Sequence, residues 1–245
     1  MRRLPFNSPV NDAPVYDAGI ITSTMDAAAA LADQGAAFGT VIRADFQTQG
    51  RGRRASGAWE SPAAENLLFT VLLEKVASPS ALLKTPLLIG LAVARALESL
   101  YALTVAIKWP NDILAGDGRK VCGILCQTHG RYLLAGIGIN CNQRIFPPEL
   151  KDKAVSLSLL LDGKVDRDRL LRAVLDQYAA IRVGPDPREE VERRLAFRGE
   201  RRVFLPEDPG LPAVEGVVVG LGENGELLLR TPDGSLRGLV SGSLR

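Results

Sequence analysis

The stretch QTQGRGRRASGAW, residues 47–59, places three arginines and three glycines in one loop. Apolar segments typical of β-strands flank this loop, at residues 41–44 and 67–73. Glycine tolerates positive φ, and guanidinium groups match the oxygens of phosphates and carboxylates. The loop is therefore suited to hold an anion between two rigid strands, although a solvated basic surface loop is the alternative interpretation.

Composition limits the classes of protein that need to be considered. A chain of 245 residues with 46% hydrophobic content can bury the core of one large domain, or of a large and a small one. Lys and Arg total 30 against 28 for Asp and Glu, so no global positive field attracts nucleic acid. No apolar run approaches the ~20 residues of a membrane span, and the Met-Arg-Arg start leads into polar, proline-containing sequence instead of an apolar signal core. We therefore expect a cytoplasmic protein with no membrane or DNA partner.

The three cysteines, Cys122, Cys126 and Cys141, lie in apolar segments without CxxC spacing. A free thiol in such a segment behaves as a small hydrophobic side chain. We predict reduced core cysteines and no protein-held metal site.

Periodicity and capping signals predict a mixed α/β fold. Ser23 or Thr24 can cap a helix that ends at Gly35. Further helices are expected at residues 82–100, with Pro86 in the first turn, at 166–182, and in a piece ending near residue 197. Strands are expected at residues 15–22, 41–44, 67–73, 105–109, 121–127 and 133–139.

From about Gly199 the chain shows short alternating runs broken by Gly, Pro and Asn-Gly or Asp-Gly pairs, a pattern typical of hairpins. We therefore predict two domains. Residues 1–197 form an α/β (α+β) catalytic domain with a mixed, largely antiparallel sheet, and residues 198–245 form a small β-barrel.

Two further segments concentrate polar groups at strand ends. KWPNDILAGDGRK, residues 108–120, brings Lys, Trp, Asn and Asp to one strand end, and GIGINCN, residues 136–142, ends a strand in small residues and asparagines. Taken alone, the first segment is better explained as a plain turn capped by Asp112. His129 is predicted to be an exposed turn residue without a chemical role.

Together these segments resemble the biotin protein ligases, whose pattern comprises GRGRRG followed by Trp, then KWPND, RK-x-x-GIL and GIGIN. This chain reads GRGRRASGAW, KWPND, RKVCGIL and GIGIN in the same order. The resemblance is to the monofunctional type that lacks an N-terminal DNA-binding domain, because about fourteen residues precede the first predicted strand. It implies a fold like that of lipoate ligases and class II synthetases, with an SH3-like C-terminal barrel.

The resemblance also implies a reaction. ATP activates biotin to biotinyl-5′-adenylate, Mg²⁺ accompanies the ATP, and the biotinyl group passes to a lysine of a biotin carboxyl carrier protein. A homodimer is compatible with the sequence. Three alternatives stay open: a biotin-sensing repressor, a lipoate or octanoate transferase, and a module that retains the adenylate without turnover.

By the same resemblance, site residues fall into three groups. The catalytic group is Lys120, Arg51 and Arg53. Biotin contacts are expected from Ser23, Thr24, Met25, Gln47, Gly50, Arg51, Gly52, Arg53, Lys120 and Gly123. Contacts to ATP or the adenylate are expected from Arg53, Arg54, Trp59, Asn111, Asp112, Lys120 and Asn140. Met25 stands where the family often has Asn, and the loop is one residue longer before Trp59.

Overall fold

The computed structural model describes residues 1–53, 59, 61–75 and 80–245. Its strands are β1 (Arg2–Ser8), β2 (Ala13–Asp17), β3 (Ile20–Ile21), β4 (Val41–Ala44), β5 (Phe46–Gln47), β6 (Leu67–Glu74), β7 (Ala106–Lys108), β8 (Asp112–Leu114), β9 (Lys120–His129), β10 (Tyr132–Ile139), β11 (Arg201–Pro206), β12 (Val214–Leu221), β13 (Leu227–Arg230), β14 (Leu236–Leu239) and β15 (Gly242–Leu244). The helices are α1 (Thr24–Asp33), α2 (Ala81–Tyr101), α3 (Leu157–Leu161), α4 (Arg167–Val183) and α5 (Arg188–Arg193).

A mixed eight-stranded sheet forms the larger part of the molecule, in the order β1-β2-β4-β6-β10-β9-β8-β7. Only the β2–β4 pair is parallel among the described pairings of this sheet. A short parallel pair, β3 with β5, stands beside it. The predicted mixed, largely antiparallel α/β fold is confirmed.

The two faces of the sheet carry different partners. On β6, Phe69 and Val71 pack in the core that contains α2, whereas Leu72 packs with α1 on the opposite face. Because side chains alternate along a strand, residues at even positions of β6 and β10 face α1. That face holds the cavity described below.

The second sheet is antiparallel and has five strands, in the order β14-β13-β12-β11-β15. It shares a core with the larger sheet: Trp109 packs on Phe204 with ring centroids 5.9 Å apart, and Trp109 Nε1 donates to the carbonyl of Gly225 at 3.0 Å. The predicted hairpins beyond residue 199 are present. The division at residue 197 stays a prediction.

Local signals placed most helices well. Ser23 caps α1 and Asp166 caps α4 through side-chain oxygens that accept backbone N–H groups. The prediction that Pro86 lies in the first turn of α2 is wrong, because this helix starts at Ala81 and Pro86 falls in its second turn. Among the described residues, no helix combines the length and apolar character that crossing a membrane requires.

The sequence analysis did not predict β1. The first strand of the protein therefore begins at Arg2 and not at the predicted residue 15. Pro5 and two arginines make the sequence of β1 unlike that of a typical strand. β1 lies at the edge of the sheet and pairs with β2, with a register shift between Arg3 and Asn7. Proline is tolerated at such an edge because one side of the strand lacks a partner. β8 was also missed, since Asp112 begins a strand that returns antiparallel to β7.

Candidate active site

A cavity opens on the α1 side of the large sheet, and most of the predicted site residues line it. The predicted site residues that line this cavity are Ser23, Thr24, Met25, Gln47, Arg51, Gly52, Arg53, Trp59, Asn111, Lys120 and Gly123. Arg51 and Lys120, which come from separate segments, thus share one cavity as predicted. Arg54 lies outside the described residues.

One end of the cavity is a buried hydrogen-bonding cluster built on the start of α1. The backbone N–H of Thr24 donates to Oε1 of Gln47 at 2.7 Å, and the Thr24 hydroxyl donates to the same oxygen at 2.9 Å. Ser23 Oγ accepts from the backbone N–H of Met25 at 3.2 Å, which leaves its hydroxyl proton for another acceptor. This end can therefore bind a polar, uncharged group.

The cavity also carries three cations, each beside a carboxylate of the chain. The pairs are Arg51 with Asp26, Lys120 with Asp112 (Nζ to Oδ1, 2.5 Å) and Arg53 with Glu207 (Nη1 to Oε1, 3.2 Å). All six side chains are between 24% and 50% exposed, so each ion pair contributes only about 0–1 kcal/mol. A multiply charged anion can therefore compete with these carboxylates for the cations.

Three glycines of β9 and β10, Gly123, Gly136 and Gly138, form part of the cavity wall. A Cβ on Gly138 would lie 2.5 Å from Cε2 of Trp59, and one on Gly123 would lie 2.9 Å from Cζ3 of the same ring. A Cβ on Gly136 would lie 2.8 Å from Sδ of Met25. The missing side chains therefore let Trp59 and Met25 lie directly on the strands β9 and β10.

The remaining predicted residues surround the cavity or support it. Asn111 lines it and donates through Nδ2 to the carbonyl of Ile124 at 2.8 Å. Asn140 does not line the cavity: its Nδ2 lies 3.3 Å from the carbonyl of Lys120 and 3.2 Å from that of Val155. Asn140 thereby connects the start of β9 to the segment that precedes α3. Its predicted contact with a nucleotide stays a prediction.

Gly50 and Asp112 lie just behind the wall. The carbonyl of Gly50 accepts from the backbone N–H of Trp59 at 3.0 Å, which closes the base of the arginine loop. Asp112 reaches the cavity through its ion pair with Lys120. His129 ends β9 and lies 2.7 Å from Asp33, where it takes no part in the cavity.

The cysteines belong to the interior, as predicted. Cys122 and Cys141 are buried, Cys126 is half-buried, and all three are free thiols. Burial raises the pKa of the Cys141 thiol to about 12, because an apolar environment disfavours the thiolate. Such a thiol is a packing group and a poor nucleophile.

Sequence reasoning missed several residues that hydrogen-bond to the cavity wall: Asp26, Thr70, Glu207 and Gly242. Thr70 is the one hydroxyl-bearing residue in the apolar strand LLFTVLLE, and this isolated polar position was a usable signal. The other three carried no local signal, because their partners lie between 25 and 189 residues away.

The mixed sheet carries on one face a cavity that combines a polar hydrogen-bonding cluster with three cations, an arrangement suited to binding a substrate that has a neutral polar group and an anionic group. The sequence model of the biotin/lipoate A/B protein ligase family matches residues 19–143, which are 125 of the 245 residues. The chain belongs to this family.

Within the family, the chain is similar to biotin ligases. It is 32% identical over 201 residues to the biotin–[acetyl-CoA-carboxylase] ligase of Mycobacterium tuberculosis, covering 78% of this chain and 73% of that protein. The biotin protein ligase of Aquifex aeolicus in complex with biotin and ATP superposes with a TM-score of 0.82 at 30% identity, covering 94% of this chain and 97% of the other. The predicted resemblance is confirmed.

The bifunctional ligase/repressor BirA of Bacillus spizizenii is 39% identical over 166 residues. The match covers 64% of this chain and 50% of that protein, so this chain spans about half the length of the Bacillus relative.

Proposed function

We propose that this protein activates biotin with ATP to biotinyl-5′-adenylate and transfers the biotinyl group to a lysine of a biotin carboxyl carrier protein. The observation that carries the proposal is the convergence of Arg51 and Lys120 on the cavity that Ser23, Thr24 and Gln47 also line. Membership of the ligase family and the similarity to biotin ligases support the choice of substrate.

The reaction explains why cations and a neutral polar pocket belong in one site. In the first step, a carboxylate oxygen of biotin attacks the α-phosphorus of ATP, an O–P bond forms, and pyrophosphate leaves. In the second step, a lysine amine attacks the acyl carbon, AMP leaves, and the amine gives up a proton. Because the first step joins two anions, fixed positive charges near the α-phosphorus lower its barrier.

The residue roles follow from their places in the cavity. We assign the biotin head to Ser23, Thr24 and Gln47, where hydrogen-bonding groups and apolar walls meet. Lys120 and Arg51 are assigned to the carboxylate and α-phosphate.

We assign the nucleotide to the other side of the cavity. Trp59 offers a ring surface for the adenine, and Arg53 offers a planar fork of donors for phosphate oxygens. Asn111, Asp112 and Asn140 are assigned to the same half of the site.

Mg²⁺ is proposed as the ion that accompanies ATP. This ion commonly binds through one or two carboxylates together with substrate phosphates. In the described ranges, no group of three His, Cys, Asp or Glu side chains could hold a metal ion. In this proposal the phosphates supply the larger part of the coordination sphere.

The wider setting is proposed on the same basis. Residues 1–197 constitute the ligase domain, and residues 198–245 constitute a β module that holds Arg53 through Glu207 and Gly242. The cytoplasm is the proposed location, because ATP is the co-substrate and the three cysteines are free thiols. A homodimer is proposed as one assembly to test by light scattering.

The decisive experiment is incubation of the purified chain with biotin, Mg-ATP and an apo carrier domain, followed by intact mass measurement. One biotinyl increment on the carrier is expected. Reactions without ATP and with a carrier whose acceptor lysine is changed to Arg are the controls. Equal labelling with lipoate or octanoate in place of biotin would contradict the substrate assignment. A carrier that stays unlabelled with all three acids would contradict the ligase activity.

A further inference from the structure

We propose that Thr70 is a positioning residue for the biotin end of the cavity. Its hydroxyl orients the hydroxyl of Thr24, which holds the Gln47 amide with Oε1 turned inward and Nε2 left to donate to the ligand. The inference deepens the proposed function and rests on it.

The direction of each hydrogen bond follows from chemistry. A backbone N–H can only donate, so the Gln47 atom 2.7 Å from the Thr24 nitrogen is the carbonyl oxygen Oε1. The Thr24 hydroxyl lies 2.9 Å from the same oxygen and must also donate to it. Its oxygen can then only accept from Thr70, whose Oγ1 lies 2.9 Å away. The chain of donors therefore runs one way, from Thr70 through Thr24 to Gln47.

Thr70 is fully buried in the centre of the sheet. It lies opposite Ile42 on β4 and Gly136 on β10, on the face that carries the cavity. A buried hydroxyl needs a hydrogen-bond partner, whereas a valine of the same shape would fill this space without that requirement. The hydrogen bond that its hydroxyl donates to Thr24 therefore explains a threonine at this position.

The consequence concerns Nε2 of Gln47. Both acceptor positions of Oε1 are occupied by Thr24, and no side-chain hydrogen bond of the described ranges uses Nε2. Since Gln47 lines the cavity, its two amide hydrogens are available to a carbonyl oxygen of the ligand. The ureido oxygen of biotin is a group of this kind.

The test compares Thr70→Val with Thr70→Ser in biotin-dependent ATP–pyrophosphate exchange. Valine keeps the shape and removes the donor, whereas serine keeps the donor and removes a methyl group. We expect Thr70→Val to raise KM for biotin roughly three- to tenfold, the loss typical of one hydrogen bond. We expect KM for ATP and kcat to change less than twofold, and Thr70→Ser to retain the wild-type KM for biotin.

A biotin analogue whose ureido carbonyl is replaced by a methylene group separates positioning from general damage. Wild type and Thr70→Val should bind this analogue equally, because Nε2 then has no acceptor to meet. An unchanged KM for biotin in Thr70→Val would overturn the proposal. An equal rise of KM for biotin in Thr70→Ser would also overturn it. The same would follow if wild type and Thr70→Val differed as much in binding the analogue as in binding biotin.

Thermal unfolding accompanies the kinetics, and Thr70→Val is expected to melt within a few degrees of wild type. If this variant does not fold, Thr70→Cys replaces it, because a thiol is a weak donor of similar size. Wild-type chain without any biotin-dependent exchange would refute the proposed activity itself. Normal exchange by wild type together with an unaffected Thr70→Val would refute only the role of Thr70.

Discussion

Nη2 of Arg53 donates a hydrogen bond of 2.8 Å to the backbone carbonyl of Gly242, which lies 189 residues further along the chain. Glu207 accepts from the same guanidinium at 3.2 Å and is itself held by the Ser241 hydroxyl. The second sheet thus anchors a loop arginine at the edge of the cavity. The C-terminal strands therefore hold in place a residue of the cavity wall.

Gly242→Ala tests this anchor. A Cβ at this position would overlap the ring of Phe204 and the carbonyl of Leu205, so the strand must shift and carry the acceptor of Arg53 with it. We expect a loss of about 1–3 kcal/mol in the free energy of unfolding, measured in urea, and a reduced rate of pyrophosphate exchange. Gly163→Ala, whose Cβ would meet only the carbonyl of Leu161 at 3.7 Å, is the matched control. Equal stability of the two variants would contradict the close-packing argument.

Lys120→Gln removes a positive charge while keeping a polar side chain of similar length. Adenylate formation should fall about 10²- to 10³-fold, because a preorganised charge at the reacting phosphate is lost. Biotin-dependent ATP–pyrophosphate exchange measures this step without the carrier. Lys151→Gln, at an exposed site away from the cavity, should exchange at the wild-type rate. Exchange by Lys120→Gln at that same rate would remove Lys120 from the mechanism.

Trp109→Phe tests the junction between the two sheets. The change removes the 3.0 Å bond to the carbonyl of Gly225 and leaves space in a fully buried position. Loss of the buried hydrogen bond and of ring volume should lower the free energy of unfolding by about 2–4 kcal/mol. Urea denaturation followed by circular dichroism measures it, with Leu236→Ala on the exposed strand β14 as the control. If Trp109→Phe lowers the free energy of unfolding no more than Leu236→Ala does, the junction between the sheets adds little stability.

The buried thiol of Cys141 predicts a pH dependence of stability. Its pKa is raised by burial from 9.0 to about 12, so the folded state keeps the thiol neutral at pH values where the unfolded state ionises it. The contribution to stability is therefore complete below pH 9 and declines between pH 9 and 12. Relative to Cys141→Ala, wild type should lose about 1 kcal/mol between pH 8 and pH 10. Parallel stability curves for the two proteins would contradict the shift.

Several parts of this structure could be predicted because their causes are local. Ser23 and Asp166 cap helices through neighbours two or three residues away, and β9 and β10 join through the tight turn at Gly130. The candidate site was predictable for a different reason. Its motifs lie in short runs that resemble a family, and eleven of the residues so named line one cavity.

Other parts could not be predicted from the order of the residues. The parallel pairing of β2 with β4, the edge strand β1 and the place of β8 depend on which strands meet across the sheet. The sequence marks Thr70 as an isolated polar residue in an apolar strand, but only the fold shows that its partner is Thr24, 2.9 Å away.

The sequence by itself determined most helices, most strands, the family and most of the residues that line the cavity, because capping, side-chain periodicity and motif spacing act over a few residues. Only the tertiary structure decided which carboxylate faces which cation, that Thr70 donates to Thr24, and that Gly242 accepts from Arg53. These contacts join segments far apart in the chain. Their geometry arises when the two sheets pack around a common core, and no local pattern encodes that packing.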